Sequence, residues 1–408
     1  MTRFKSVGVN IGIIFLAIFI LGIILEIGLA VVQINQKSHV RLVPGKGVTY
    51  IPGAYYRHTK EGFSQGYFNS HGFRDYERTY EKPKDTFRIL IFGDSYVEAL
   101  QVSLEDSFPA LLEKKLNAGS STKKVEVIAL GQSGFGTADA YMRYVNFGVK
   151  YSPDLVILAF LTGNDFRDNS KVLSREALAY YYVFDDNGQL VLDSSKYEEY
   201  ERGMISQVRG LFQSLKRKSY LLSLVSERVY LLMRKFEETR FEHKLAGMPQ
   251  VNENREIDPF SDLNIYRTDV SVPWKDAFEI SKRLILKFKD TVEENGAKFV
   301  LVTLSNAEQV HPRIGEKLNA RYPVVFDYER PDRMLEEFAK QKGIIALKLM
   351  PEFRAYHLQT GKDLHGFGSS GVGHWNEDGH RLAAEEILKF LQQQNLVPSG
   401  EKSSFSRT

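Results

Sequence analysis

Residues 87–95 have the sequence FRILIFGDS, in which a mostly apolar run ends at a glycine, an aspartate and a serine. A short apolar run that ends at a turn signal predicts a β-strand buried on both faces, as in parallel sheets covered by helices. Similar runs occur at residues 125–130, 155–160, 298–304 and 344–349. The sequence therefore predicts five strands of one parallel sheet.

Between and after these strands, the spacing of apolar residues predicts helices at 107–116, 137–147, 277–295, 331–342 and 378–394. Strands that alternate with amphipathic helices are typical of a sheet with helices on both faces. Five strands suit a flavodoxin-like order. We therefore expect a three-layer α/β/α fold with a five-stranded parallel sheet.

The N-terminus carries a long apolar segment. No charged residue occurs from Val7 to Leu25, a length close to the ~20 residues that cross a bilayer core. This run is longer than the apolar region of a cleaved signal peptide, and no clear cleavage site follows it. We predict an uncleaved transmembrane anchor in residues 1–34. Basic residues flank both ends of the segment, so the distribution of positive charge does not decide its orientation in the membrane. Because long domains are translocated largely regardless of flanking charge, we expect the main domain outside the cytoplasm.

The remaining chain divides by composition. Residues 35–85 are polar, with scattered Gly, Pro and Tyr, and we predict a stalk and lead-in. Residues 86–397 hold the α/β domain, and residues 398–408 form a polar tail. A helical insert, at about residues 167–272, separates the third predicted strand from the fourth.

The insert contains a predicted helical stretch at residues 204–244, with an apolar stripe and many basic residues. The stripe includes Leu221, Leu222 and Val225. A lid or cap helix packed on the domain is the commoner arrangement for such a pattern. A helix lying on an anionic membrane surface is the alternative.

Composition excludes several classes of function. The net charge is only +3 over 408 residues, so the chain lacks the basic field that binding to nucleic acid requires. It has no cysteine, which excludes disulfides, thiolate catalysis and cysteine-based zinc sites. We predict no cofactor and no metal. His365, His374 and His380 lie near acidic residues, but their spacing matches no known ligand pattern.

Side chains suited to acyl transfer follow the predicted strands. Ser95 follows the first strand, Gly134 the second, Asn164 the third, and His374 comes after the fifth. Because active sites of parallel sheets form beyond the carboxyl ends of their strands, we expect these residues to share one edge. This set predicts acyl transfer through a serine, because it combines a hydroxyl, an imidazole, a side-chain amide and a glycine whose backbone a substrate can approach.

The segment Ile91-Phe92-Gly93-Asp94-Ser95 resembles the first block of the SGNH (GDSL-like) hydrolases. Gly134, Asn164 and His374 fall where the later blocks of that family supply Gly, Asn and His. The resemblance spans about residues 67–395, apart from the insert. It is strong because four short blocks occur in order, each at a predicted strand end.

The lead-in sequence NSHGFR, residues 69–74, also resembles a segment found just before this domain in membrane-anchored bacterial members. The resemblance implies a serine esterase or acyltransferase. Ser95 would be the nucleophile and His374 its base. The Ser95 and Gly134 N–H groups and the Asn164 side-chain amide would form the oxyanion hole.

The sequence departs from the family at the acid that orients the histidine. The family places an Asp three residues before the His, where this chain has Gly371, and related acetyltransferases often place it two residues before, where this chain has Val372. Asp363, which lies in the loop before His374, is our candidate for the missing acid. A backbone carbonyl in its place would leave a Ser-His dyad, and no acid at all would leave a weak or inactive protein.

Three functions remain open from the sequence. The first is a serine esterase or O-acyltransferase, with acetyl as the expected group, acting on a small acyl ester or a cell-envelope glycan; a transferase would need an acyl-donating membrane partner. The second is a non-catalytic binding or scaffold subunit of an envelope-polysaccharide assembly. The third is a lipase-type acylhydrolase with the basic helix as its lid.

Overall fold

In the computed structural model, residues 2–398 are described apart from gaps at 33–38, 44–46, 119–122, 175–177, 203–210, 213, 217, 227, 230–256, 323 and 369–370. The described strands are β1 (Val40–Val43), β2 (Gly47–Tyr50), β3 (Tyr55–His58), β4 (Ser64–Tyr67), β5 (Thr86–Phe92), β6 (Lys124–Ala129), β7 (Leu155–Leu161), β8 (Tyr181–Phe184), β9 (Leu190–Asp193), β10 (Lys298–Leu304) and β11 (Ile345–Lys348).

The described helices with defined ends are α1 (Thr2–Val32), α2 (Ser95–Glu98), α3 (Phe108–Ala118), α4 (Thr137–Asn146), α5 (Asp165–Asp168), α6 (Ser195–Arg202), α7 (Val272–Glu294), α8 (Ala307–Val310), α9 (Pro312–Arg321), α10 (Arg330–Gln341), α11 (Met350–Thr360) and α12 (Glu377–Gln393). The five predicted strands and the five helices predicted between and after them are present, with ends that differ by a few residues. The helices α9 and α11 and the strand pairs β1–β2, β3–β4 and β8–β9 were not predicted from the sequence.

A five-stranded parallel sheet forms the centre of the domain. Its spatial order is β11-β10-β7-β5-β6, and every pair of neighbours is parallel. Numbered along the chain, this is the 2-1-3-4-5 order of flavodoxin-like sheets. The predicted fold class is therefore confirmed.

Helices cover both faces of this sheet, which explains why its strands are apolar throughout. Along β5, Ile89 and Ile91 belong to the core under α3 and α12, whereas Leu90 and Phe92 belong to the core under α4, α7 and α10. All four side chains are fully buried. Because successive side chains point to opposite faces, a strand covered on both sides needs apolar residues at every position.

The lead-in packs as part of the same compact unit as the sheet. Residues Arg41–Glu198 and Asn254–Thr408 form that unit, so residues 41–85 are not a separate stalk. The antiparallel hairpin of β3 and β4 pairs Tyr55 with Tyr67 and His58 with Ser64. Its turn, residues 59–63, extends to the edge of the sheet that carries the predicted site residues.

The second compact unit contains residues Met1–Val40 and Glu199–Glu253. Within α1, the stretch Gly12–Val32 is long and apolar enough to cross a membrane, by length and composition alone. Glu26 interrupts its apolar surface, and the Glu26 carboxylate accepts hydrogen bonds from Ser219 Oγ at 2.7 Å and from the Tyr220 and Leu221 amides at 2.7 and 2.9 Å. Those two amides begin a helical segment at residues 220–226.

This contact satisfies the carboxylate within the apolar stretch Gly12–Val32 and places its negative charge at a helix N-terminus, where that charge is favourable. The helical segment 220–226 lies inside the stretch predicted from sequence at 204–244. Most of that stretch, including Leu232 and Met233, lies outside the described residues. The choice between a lid and a membrane-surface helix therefore stays open.

Candidate active site

Ser95 is the first residue of α2, directly beyond the end of β5. Asp94 caps this short helix, because its Oδ1 accepts a hydrogen bond from the Tyr96 amide at 2.9 Å. The strand thus ends, turns at Gly93-Asp94 and presents the serine at the carboxyl edge of the sheet. This is the position predicted from sequence.

His374 lies next to Ser95, although the two are far apart in the sequence. The Ser95 Oγ is 2.9 Å from His374 Nε2. The predicted nucleophile and base are therefore within hydrogen-bonding distance of each other, as proton transfer between them requires.

Glu61 supplies the carboxylate that orients this imidazole. Its Oε2 lies 2.6 Å from His374 Nδ1, and its Oε1 accepts the His374 backbone N–H at 2.6 Å. A carboxylate on Nδ1 holds the proton there, so that the Nε2 lone pair faces the Ser95 hydroxyl. The three side chains form a Ser-His-Glu arrangement.

Asp363, the acid predicted from sequence, does not contact His374. Its Oδ2 lies 2.5 Å from Arg313 Nη2, and its Oδ1 lies 3.4 Å from His311 Nδ1. The Asp363 prediction is corrected to Glu61, and the alternatives of a dyad or a missing acid fall with it. Glu61 therefore contacts His374 Nδ1 although position 371 is a glycine.

The turn that carries Glu61 is fixed against the chain that follows α2. The Phe63 amide donates to the Gln101 carbonyl at 3.1 Å, and Ser64 Oγ donates to the Leu100 carbonyl at 2.5 Å. Gly62 has φ of +65°, and a Cβ there would overlap the Gln101 carbonyl oxygen. Glycine is therefore required for this close approach. Ser64 is buried in the hairpin.

Arg74, the last residue of the NSHGFR segment, holds the hairpin and the α2 region together. Its guanidinium donates to the Glu98 carbonyl at 2.7 Å, to the Val102 carbonyl at 2.6 Å and to Tyr56 Oη at 2.9 Å. Arg74 is only 3% exposed, so these charge-assisted hydrogen bonds are buried. The lead-in thus positions Glu61 relative to Ser95.

The backbone around His374 is adapted to this carboxylate. Gly373 has φ of +123°, and a Cβ at this position would overlap Glu61 Oε1. On the other side, the Tyr96 ring packs on His374 with centroids 5.0 Å apart, and Tyr96 Oη donates to the Gly373 carbonyl at 3.3 Å. Tyr96 therefore supports the histidine directly.

Gly134 and Asn164, the two other predicted oxyanion donors, follow β6 and β7, which flank β5 on either side. Gly134 has φ of +80°, a conformation that glycine adopts without strain. The preceding residue is anchored by the buried Glu98 carboxylate, which accepts hydrogen bonds from the Ser133 amide at 2.9 Å and from the Ser133 hydroxyl. The loop conformation is therefore tied to α2.

Asn164 lies beside Asp94. Burial raises the pKa of Asp94 to about 6, against the lowering effects of the Tyr96 amide, the His374 charge and the Asn164 side chain. The hydrogen bond between the Asn164 side chain and Asp94 places the Asn164 amide near the residue that precedes Ser95. All four sequence-predicted residues, Ser95, Gly134, Asn164 and His374, occupy the same edge of the sheet.

The charge state of Glu61 follows from its surroundings. Partial burial raises the pKa of Glu61, but the hydrogen bonds and charge of His374 outweigh this and lower the pKa below 4.5. Glu61 is therefore ionised at neutral pH. An ionised carboxylate stabilises the imidazolium that forms when His374 accepts a proton.

No protein-family model and no curated protein matches the chain. Similar solved structures include an acetyl xylan esterase, AlAXEase, at 14% identity, covering 74% of this chain and 98% of that one, with a TM-score of 0.39. A second is a putative lipolytic protein of the G-D-S-L family from Desulfitobacterium hafniense DCB-2, at 13% identity, covering 74% of this chain and 99% of that one, with a TM-score of 0.34. A third is a lipase/acylhydrolase from Enterococcus faecalis, at 14% identity, covering 76% of this chain and 96% of that one, with a TM-score of 0.35. At such TM-scores, these similarities do not bear on the activity of this chain.

Replacing Glu61 by Gln removes the negative charge and presents His374 Nδ1 with an amide. We expect Ser95 to react with a fluorophosphonate probe about a hundred- to ten-thousandfold more slowly, because the imidazole loses its orienting partner. The measurement is the second-order labelling rate. Glu81→Gln, at an exposed position of the same lead-in, serves as the matched control. Equal rates for Glu61→Gln and wild type would exclude Glu61 from this role.

The depressed pKa of Glu61 also predicts a pH dependence of stability. Because folding lowers this pKa from 4.5, ionised Glu61 stabilises the folded protein above that pH, and the contribution disappears as the pH falls through the folded-state value. We expect the Tm difference between wild type and Glu61→Gln to be largest near neutral pH and to shrink below pH 4.5. A pH-independent difference would contradict an ionised Glu61 paired with His374.

Proposed function

We propose that this protein is a serine esterase or O-acyltransferase that works through an acyl-Ser95 intermediate. The observation that supports it most is the line of contacts from Ser95 Oγ to His374 Nε2 and from His374 Nδ1 to Glu61 Oε2, at 2.9 and 2.6 Å. A serine hydroxyl is a weak nucleophile until a base removes its proton, and this arrangement supplies the base with its orienting carboxylate.

In the first half of the proposed reaction, Ser95 Oγ attacks the ester carbonyl carbon while His374 Nε2 takes the hydroxyl proton. The carbonyl oxygen becomes an oxyanion, with the Ser95 and Gly134 N–H groups and the Asn164 amide as its donors. Each such donor contributes about a hundred- to a thousandfold in rate. The C–O bond to the leaving alcohol then breaks, and the imidazolium returns its proton to that alcohol.

In the second half, a new hydroxyl attacks the acyl-Ser95 carbonyl. His374 accepts the proton from the attacking oxygen and then gives it to Ser95 Oγ as that oxygen leaves. Water as the attacking group gives hydrolysis, and a sugar hydroxyl gives acyl transfer. The same three side chains serve both reactions, so the acceptor decides between them.

As the substrate we propose an acyl ester, with acetyl as the group, on a glycan of the cell envelope. The support is the apolar segment Gly12–Val32 and the lead-in 69–74, which resembles that of membrane-anchored bacterial members. For a transferase, we further propose an acyl-donating membrane protein as partner. We also propose that α1 is a single-pass anchor, with the α/β domain outside the cytoplasm.

The scaffold alternative loses its main support, because it rested on the absence of an acid for His374. Glu61 occupies that position with two hydrogen bonds. The lipase alternative rested on the basic amphipathic stretch at 204–244, and it remains an outcome of the substrate test below.

The central test is labelling of the full-length protein in detergent with a fluorophosphonate serine probe. We expect the wild type to be labelled, Ser95→Ala to be unlabelled, and His374→Ala to be labelled at least about a hundredfold more slowly. Ser70→Ala, at an exposed serine of the lead-in, is the control and should match the wild type. A folded wild type that does not react would favour the scaffold alternative.

The same variants separate the substrate classes. Acetate release from an acetylated oligosaccharide that depends on Ser95 would support the esterase. Transfer of the acetyl group to an added sugar at the expense of free acetate would support the transferase. Hydrolysis of long-chain esters that rises sharply when lipid vesicles are present would favour the lipase.

The anchor has its own test, because a signal sequence fits the same length and composition. We expect the full chain to stay with membranes after an alkaline wash, and a chain that begins at residue 39 to be released. N-terminal sequencing of the membrane-bound protein should give residues from the start of the chain. A mature protein that begins after residue 32 would contradict an uncleaved anchor.

A further inference from the structure

Two histidines and an aspartate form a cluster outside the candidate active site, in which His311, His357 and Asp363 each direct one potential ligand atom toward the same small volume. His311 Nδ1 lies 3.3 Å from His357 Nδ1 and 3.4 Å from Asp363 Oδ1, and His357 Nδ1 lies 3.7 Å from that same oxygen. The three residues come from different segments: the turn between α8 and α9, the last part of α11, and the loop after α11.

The hydrogen bonds around His311 leave its Nδ1 lone pair facing this point. His365 Nε2 donates to the Ser305 carbonyl at 3.0 Å, so His365 Nδ1 is an acceptor. It lies 3.3 Å from His311 Nε2, which therefore carries the proton. With the proton on Nε2, the lone pair of the His311 ring is on Nδ1.

Asp363 is held in a matching way. Its Oδ2 is engaged by Arg313 Nη2 at 2.5 Å, which leaves Oδ1 turned toward the two imidazoles. Ligands of protein-bound metals are typically fixed by such outer partners: a hydrogen bond on the far nitrogen of a histidine and a bond to the second oxygen of a carboxylate. Both features are present here before any ion binds.

The spacing of the three ligand atoms fits a small tetrahedral ion. Zinc binds imidazole nitrogen and carboxylate oxygen at about 2.0–2.2 Å, which separates neighbouring ligand atoms in a tetrahedron by roughly 3.3–3.6 Å. We propose that His311 Nδ1, His357 Nδ1 and Asp363 Oδ1 form a binding site for Zn²⁺ or a similar divalent transition metal. The fourth ligand is a water molecule.

One contact competes with the ion. His357 Nδ1 lies 2.8 Å from the Lys362 carbonyl, to which it donates a hydrogen bond. Binding moves that proton to Nε2 of the same ring and frees the Nδ1 lone pair. The transfer is a change of tautomer and leaves the ring neutral.

The site is linked to the segment that carries His374. The Asp363 carbonyl accepts a hydrogen bond from Asn376 Nδ2 at 2.8 Å, and the Gly366 amide donates to the His374 carbonyl at 2.8 Å. Asp363 directly precedes residues 364–366, which pair antiparallel with residues 374–376. The ion acts by positioning the histidine segment and does not contact the reacting atoms.

Metal binding is tested on the full-length protein after treatment with a chelator. We expect calorimetric titration with Zn²⁺ to show one ion per chain, the bound form to have a higher Tm, and Co²⁺ to give the strong visible absorption of a tetrahedral site. His357→Gln and Asp363→Asn should each weaken binding by more than the roughly 10–100-fold that loss of an outer partner costs.

Matched controls separate this site from adventitious binding. His71→Gln replaces a half-buried histidine elsewhere, and Asp327→Asn replaces an aspartate that also pairs with an arginine, Arg333. Both should bind zinc as the wild type does. No stoichiometric binding by the wild type, or equal binding by His357→Gln, would overturn the proposal. Loss of binding in His374→Ala with no loss in Asp363→Asn would assign the ion to the candidate active site and would also overturn it.

Discussion

The pair of hydrogen bonds between Glu61 and His374 is the constraint on which the rest of the site depends. One oxygen of the Glu61 carboxylate is hydrogen-bonded to His374 Nδ1, and the other accepts a hydrogen bond from the backbone amide of His374. Ring tautomer and loop position are therefore set by a single side chain. Gly373 and Gly62 are adapted to this contact, since a Cβ at either position would collide with Glu61 or with the chain that its turn packs on.

This contact also explains why the lead-in packs on the domain. Glu61 lies in the turn of the β3–β4 hairpin, and buried Arg74 ties that hairpin to the carbonyls of Glu98 and Val102. The same Glu98 holds the loop before Gly134 through its carboxylate. Ser95, His374, Glu61 and the loop of Gly134 are thus connected through one set of hydrogen bonds. The His311–His357–Asp363 cluster supports the histidine segment from its other side.

The sheet, its order, Ser95 and His374 were predictable because their signals are local. A buried strand in a parallel sheet is apolar along its whole length, and the strand ends of such a sheet meet at one edge. Glu61 was not predictable in this way, since it is 313 residues from His374 and belongs to no strand or helix of the sheet. Asp363 is near His374 in sequence, yet Arg313 binds its Oδ2 and two histidines lie beside its Oδ1. Only the tertiary fold decides between two such carboxylates.

The most direct test of the account is a crystal structure of the protein after phosphonylation of its reactive serine. The adduct mimics the tetrahedral intermediate, so its phosphonyl oxygen marks the position of the oxyanion. We predict phosphorus on Ser95 Oγ, that oxygen about 3 Å from the Ser95 N–H, the Gly134 N–H and the Asn164 amide, and Glu61 on His374 Nδ1. A phosphonyl oxygen that points to solvent, or a different acid on His374, would contradict it.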